Sequence, residues 1–90
     1  MYRIIYHPKV VKEDVSKLDQ KTKNRIKKSI ESKLLDHPEL YSNQLRNTLS
    51  DYRKLRVGDY RVIFKIMKKE IRILIIGHRK DVYKIVSNRY

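Results

Sequence analysis

The chain has 90 residues, enough for one small domain with a single compact core rather than separate catalytic and regulatory units. Its 23 lysines and arginines against 10 acidic residues give a formal charge of +13, a field that favours polyanionic partners such as RNA, DNA, an acidic protein or an anionic membrane. Cysteine is absent and the three histidines lie far apart, which excludes disulfides and thiolate chemistry and argues against structural zinc.

Tyr2–Tyr6 reads as a short strand of aromatic and β-branched residues, ended by His7-Pro8. It is too short for a secretory leader, and the longest apolar run, Ile73–Ile76, falls far below the ~20 residues that span a bilayer. The expectation is therefore a cytoplasmic protein with no membrane association.

From Lys9 to Leu18 the positions Val11, Val15 and Leu18 form one helical stripe. Asp19 is placed to cap a second helix, in which Ile26, Ile30 and Leu34 recur every four residues through a lysine-rich segment. His37-Pro38 stops it, because the residue before proline is pushed out of the α region. Two helices so closely joined predict an antiparallel hairpin packed on a sheet. The basic second helix has its apolar stripe satisfied by ordinary packing and lacks a following reading helix, which argues against helix-turn-helix DNA recognition.

Residues 38–50 carry the least regular pattern. Leu40, Tyr41, Leu45 and Leu49 could anchor the segment, and Arg46 could touch a polyanion from it. Three strands follow, Tyr52–Val57, Tyr60–Met67 and Glu70–Gly77, turned by Gly58-Asp59 and Lys68-Lys69. They predict a meander with the N-terminal strand at one edge. The last segment, Asp81–Tyr90, has Val82, Tyr83, Ile85 and Val86 at spacings of a short helix or a partly ordered tail.

The expected architecture is thus α+β. A four-stranded, mainly antiparallel sheet packs against an N-terminal helical hairpin, with residues 1–90 forming one domain.

Strand alternation assigns faces. Leu55, Val57, Val62, Phe64 and Ile66 form a core face for the helices, while Tyr52, Lys54, Arg56, Arg61 and Lys65 gather on the opposite surface. The last strand is apolar on both faces, so its polarity stays ambiguous. A basic surface carrying tyrosines can neutralise phosphates while the rings stack on bases, although tyrosines are equally ordinary strand formers.

These residues carry a resemblance. Leu45-Arg46, Tyr52–Arg56, Tyr60-Arg61-Val62-Ile63-Phe64 and Gly77-His78-Arg79-Lys80-Asp81-Val82-Tyr83 together resemble the RelE/ParE superfamily of type II toxins, most closely its RelE-like mRNA-cleaving branch. The resemblance spans almost the whole chain and implies the RelE-like fold. It also implies mRNA cutting in the ribosomal decoding site without a metal or other cofactor. In that reaction the 2′-hydroxyl attacks the adjacent phosphate, leaving a 2′,3′-cyclic phosphate and a free 5′-hydroxyl.

Carried onto this chain, Lys54 and Arg61 match basic catalytic positions, Arg79 a phosphate-binding position, and Tyr83 the C-terminal tyrosine. Arg46, Tyr52, Arg56, Lys65 and Lys80 are further candidate RNA contacts. The two arginines suit charge stabilisation, because a guanidinium stays protonated and grips phosphate bidentately. Lys54 could stabilise charge or act as a base, and Tyr83 could orient the nucleophile or share proton transfer. His78 is an acid or base near neutrality, a substrate contact, or a strand end that hydrogen-bonds locally. Tyr52 stands where the family pattern has a lysine, so one proton-transfer group is either missing or replaced by the phenol.

The resemblance implies as partners a cognate antitoxin, the 70S ribosome with its mRNA, and operator DNA through the antitoxin complex. Two other functions fit the same architecture. One is a ParE-like toxin that inhibits DNA gyrase without cutting RNA, and the other is an inactive RNA- or partner-binding module.

Overall fold

A computed structural model describes residues 1–89 apart from the side chain of Thr48; Tyr90, where the expected C-terminal segment ends, lies outside them. Strands β1 (Arg3–Tyr6), β2 (Asn43–Gln44), β3 (Tyr52–Val57), β4 (Tyr60–Met67) and β5 (Glu70–His78) form one sheet in the order β1-β5-β4-β3-β2. Helices α1 (Gln20–Leu34) and α2 (Val82–Arg89) cover its two faces. The α+β class, the meander and the N-terminal edge strand follow the sequence reading, with β1 running parallel to β5 and the other pairs antiparallel.

The sheet has five strands rather than four. Asn43 and Gln44, in the segment without a clear pattern, pair with Lys54 and Arg53 of β3. Arg53 holds that segment in place. Its Nε donates to Ser42 Oγ at 2.7 Å and its Nη2 to the Ser42 carbonyl at 3.0 Å, so a side chain rather than an apolar period sets this edge.

Helix α1 begins as its sequence dictates. The Thr22 N–H donates to Asp19 Oδ1 at 2.7 Å, satisfying one of the free amides of the first turn. Those hydrogen bonds, side-chain first, hold the Asp19 carboxyl below its ordinary value of 3.8. A carboxyl with a depressed folded-state pKa stabilises the fold above its unfolded pKa and loses that contribution as pH falls through the folded value. Asp19→Ala should therefore lower the melting temperature at neutral pH, and the gap from wild type should close as pH drops below 3.8. Paired thermal scans across that range check it, and a gap independent of pH would contradict the charged cap.

The segment expected as a first α-helix is irregular. Val10–Asp14 forms a π-turn and Val15–Lys17 a 3₁₀ turn. The reason lies at its inner face, where the buried side chains are Val10 and Asp14, while Val11, assigned to the stripe, is 61% exposed. β1 hydrogen-bonds β5 only as far as Ile73, and beyond it the irregular segment packs along β5. Asp14 Oδ2 accepts there from the Ile76 N–H at 2.9 Å, doing for the strand edge what another strand would do. A hydrophobic period cannot register a carboxylate used in this way.

The two-faced character of β5 also has a local cause. Ile63 pairs with Ile75, but Phe64 pairs with Ile73, so Leu74 is the extra residue of a β-bulge. Leu74 and Ile75 consequently share one face, with Ile73 and Ile76 on the other. The larger core joins Val10 and the α1 stripe of Ile26, Ile30 and Leu34 to Leu55, Val57, Val62, Phe64, Ile71, Ile73 and Ile76. The smaller core joins Ile63, Leu74 and Ile75 to Leu45, Val82 and Val86. The surface expected to stay open is therefore partly roofed by α2, whose first buried residue is Val82.

Candidate nucleic-acid interface

The basic face is laid out by strand register. Counting from the Gly58-Asp59 turn, the rows across β3, β4 and β5 are Arg56–Arg61–Gly77, Lys54–Ile63–Ile75 and Tyr52–Lys65–Arg72. All lie on the side covered by α2, as alternation predicts for Tyr52, Lys54, Arg56, Arg61 and Lys65. Helix α2 divides them, because Tyr83 near its start faces Lys54 whereas Arg89 at its end borders the Tyr52–Lys65–Arg72 row.

At the start of α2, Lys54 Nζ donates to Tyr83 Oη at 3.4 Å and sits 5.9 Å from the centre of its ring. The two residues, 29 apart in sequence, line a cleft of about 310 Å³ with Gln44, Leu45, Arg46 and Leu49. Arg46 is exposed in this cleft, which places it beside Lys54. Because the ammonium can only donate, Tyr83 accepts through oxygen and keeps its own O–H for another acceptor.

The adjoining row holds two arginines directly opposite each other, Arg56 and Arg61. Like charges in facing positions repel, and among the described residues neither is paired with a carboxylate. Arg61 is only 9% exposed, with Nη1 donating to the carbonyls of Gly58 and Tyr60 at 2.9 Å each. Its guanidinium is thus held by the tight turn that it helps to close, leaving other N–H groups of the fork for an anion. Arg79 reaches the same turn, since its backbone N–H donates to the Asp59 carbonyl at 2.8 Å and its Nε lies 4.0 Å from Asp59 Oδ1.

Arg25, which sequence reasoning missed, also stands at this turn. Gly58 has φ +59°, and a Cβ added there would meet Arg25 Nη1 at 2.8 Å. Gly58→Ala should cost about 1–2 kcal/mol from left-handed strain and push the Arg25 guanidinium aside. Chemical denaturation reads the first effect, and an unchanged midpoint would show that the turn does not need its glycine.

Three sequence candidates fall outside this grouping. Tyr52 and Lys65 belong to the row beyond α2, where Lys65 Nζ lies 5.7 Å from the Tyr52 ring centre and both line a groove of about 380 Å³ with Arg72. His78 follows Ile76 onto the α1 side of the sheet. It meets Tyr60 edge-on at 5.6 Å, lines a groove with Asp14 and Lys17, and accepts from the Lys80 N–H through Nδ1 at 3.2 Å. Lys80 is exposed in the loop between β5 and α2. Simple alternation along β5 puts His78 on the face of Arg72, and the bulge at Leu74 turns it to the opposite one, away from Lys54.

Among the described residues no helix is long and apolar enough to cross a membrane, and no three His, Asp or Glu side chains gather as a metal site.

Comparison with known proteins agrees with this architecture. No curated protein sequence matches the chain significantly. Among solved structures, the fold is similar to a chain of the toxin–antitoxin complex RelBE2 from Mycobacterium tuberculosis, with a TM-score of 0.80, 23% identity, and coverage of 89% of this chain and 93% of that one. It is similar to the isolated RelE toxin of E. coli, with a TM-score of 0.73, 21% identity, and coverage of 98% and 97%. A chain of the RelB–RelE complex from Methanococcus jannaschii gives 0.69, 23%, and coverage of 90% and 96%. At such identities the likeness carries the fold. The family itself is shown by a sequence model, that of the ParE toxin of the type II toxin–antitoxin system parDE, which matches residues 4–83. The chain belongs to this toxin family, within the RelE/ParE superfamily.

Proposed function

We propose that the protein is a ribosome-dependent mRNA endonuclease, the toxin of a type II toxin–antitoxin pair. The observation that carries this reading is the cleft in which Lys54 and Tyr83 meet beside Arg46, continuous along β3 with Arg56 and across to Arg61 on β4. Cleavage through the 2′-hydroxyl needs a group that handles its proton, positive charge around the phosphorane, and a donor for the departing 5′-oxygen.

Tyr83, with its O–H directed away from the Lys54 ammonium, orients the nucleophile or shares its proton transfer. Lys54 and Arg61 stabilise the developing negative charge, and Arg46, Arg56, Arg79 and Lys80 hold the flanking phosphates. Tyr52 and Lys65, across α2, would meet the strand at a second point rather than at the scissile bond. His78, on the other side of the sheet, takes the strand-end role. No metal or cofactor enters this chemistry. A domain this small has little room for base-edge readout, so placement of the codon falls to the ribosome.

The partners follow from the same reading. They are the 70S ribosome and its mRNA, an acidic or amphipathic cognate antitoxin drawn by the +13 charge, and operator DNA through the antitoxin complex. The compartment is the cytoplasm.

A second reading is inhibition of DNA gyrase without RNA cleavage. It is favoured by the family model, which is that of ParE, and by Tyr52 standing where the cleaving branch has a lysine. Incubating the purified protein with programmed 70S ribosomes and mapping mRNA ends, beside a gyrase supercoiling assay, separates the two. Cuts inside the decoding codon that end in cyclic phosphate support the first reading. Intact mRNA together with blocked supercoiling replaces it with the second.

A further inference from the structure

Two buried charges lie outside the cleft. The Asp14 side chain is 4% exposed and that of Arg89 5%, and Arg89 Nη1 donates to Asp14 Oδ2 at 2.6 Å. The same carboxylate oxygen accepts the Ile76 N–H, and the same Nη1 reaches the Leu74 carbonyl at 3.3 Å. A more exposed carboxylate, Glu13, stands 3.8 Å from Arg89 Nη2. The pair therefore grips β5 at its bulge residue and two residues beyond it, and joins the irregular N-terminal segment to the last residue of α2.

Burying an ion pair is a weak route to stability, since an apolar pair of similar volume often does as well or better. Direction is what the pair supplies. Helix α2 has only eight residues, and beyond the long Lys54–Tyr83 contact at 3.4 Å its other attachment is apolar, through Val82, Val86 and Ile85. Such contacts resist separation but are non-directional, so they leave a two-turn helix free to rotate or slip along the sheet. Arg89 fixes one end of the helix, and Tyr83, six residues earlier and about 9 Å along the axis, lies at the other.

We propose that Asp14 and Arg89 are positioning residues, a latch that sets the rotation of α2 so that Tyr83 meets Lys54. The inference rests on reading the Lys54–Tyr83 cleft as the cleavage site. The π-turn acquires a purpose within it, because it brings Asp14 to the β5 edge where Arg89 arrives.

The test uses the full chain labelled with 3-fluorotyrosine, the Tyr83 resonance being assigned through Tyr83→Phe. In the wild-type background, Lys54→Met should shift that resonance. In Arg89→Gln and Asp14→Asn backgrounds the resonance should already have moved and should no longer respond to Lys54→Met, whereas Arg89→Lys should keep the response. On programmed ribosomes Arg89→Gln should slow single-turnover cleavage at saturation by about 10–100-fold, the scale of loss from an ångström of misplacement. The half-saturating ribosome concentration should stay unchanged. Amide exchange should quicken in α2 and not in α1 or β4.

If Arg89→Gln unfolds the chain, Asp14→Asn decides the matter by the same readings. A Tyr83 resonance that still responds to Lys54→Met without the latch overturns the proposal, as does wild-type cleavage with a loosened α2. If the wild-type protein cuts no mRNA, the cleavage reading falls by itself, and the resonance alone upholds or overturns the latch.

Discussion

Lys54→Met should slow mRNA cleavage on programmed ribosomes by about two to four powers of ten, the range for a single group acting in proton transfer or charge stabilisation. The substitution keeps the unbranched stem beside the Tyr83 ring and removes only the ammonium, so the cleft should keep its shape. A change at a half-exposed strand position away from the main core should leave stability within about 0.5 kcal/mol of wild type. Tyr83→Phe, which deletes a single oxygen, should fall in the same range. Arg46→Ala should act mainly on binding, raising the half-saturating ribosome concentration and flattening its dependence on salt. Single-turnover kinetics with mapped ends measure all three. A Lys54→Met protein that cuts at the wild-type rate would remove the cleft as the reacting centre.

Phe64→Ala should destabilise the fold by about 3–5 kcal/mol, the cost of deleting a fully buried aromatic ring. Phe64 is 0% exposed and belongs to the core that β4 builds with Ile26, Ile30 and Leu34 of α1. Domains of this size hold only about 5–15 kcal/mol in total, and here the self-repulsion of a +13 chain draws on it. The expected outcome is a melting temperature lower by more than about 12 °C, or a chain folded only with a partner bound. Phe64→Leu should recover most of the loss. Circular-dichroism melts of the three proteins test the ordering, and similar melting for all of them would place the centre of the core elsewhere.

Where a residue's role is set by periodicity, the sequence is readable. Ile26, Ile30 and Leu34 announce α1, Asp19 its cap, and alternation sorts Val62 and Phe64 from Arg61 and Ile63. The same alternation brings Lys54 into register with Arg56 and Arg61, so the basic rows were legible before any coordinate. What escaped depends on a single polar contact or a single inserted residue. Asn43-Gln44 becomes a strand because Arg53 ties its loop down. Val10–Asp14 abandons the α-helix because a carboxylate serves the β5 edge. The roofing of the basic face by α2 follows from the bulge at Leu74, which turns two consecutive apolar side chains to that side. Arg25 offered no signal among the other basic residues of α1, because its place at Gly58 is fixed only by how the helix docks.

That bulge also governs what changes the chain can absorb. Four successive positions, Ile73 to Ile76, are at most 8% exposed, so β5 offers no water-facing row in its second half. Deleting Leu74 would not merely shorten the strand. It would restore simple alternation with Ile73, Ile75 and Ile76 on their present faces, while removing one of the two apolar side chains under α2 and the carbonyl that Arg89 reaches. Single-codon deletions across these four positions should therefore be absorbed better than deletions in the unbulged middle of β4, where one lost residue turns every later side chain to the other face, and a deletion library scored for folded protein would show that contrast.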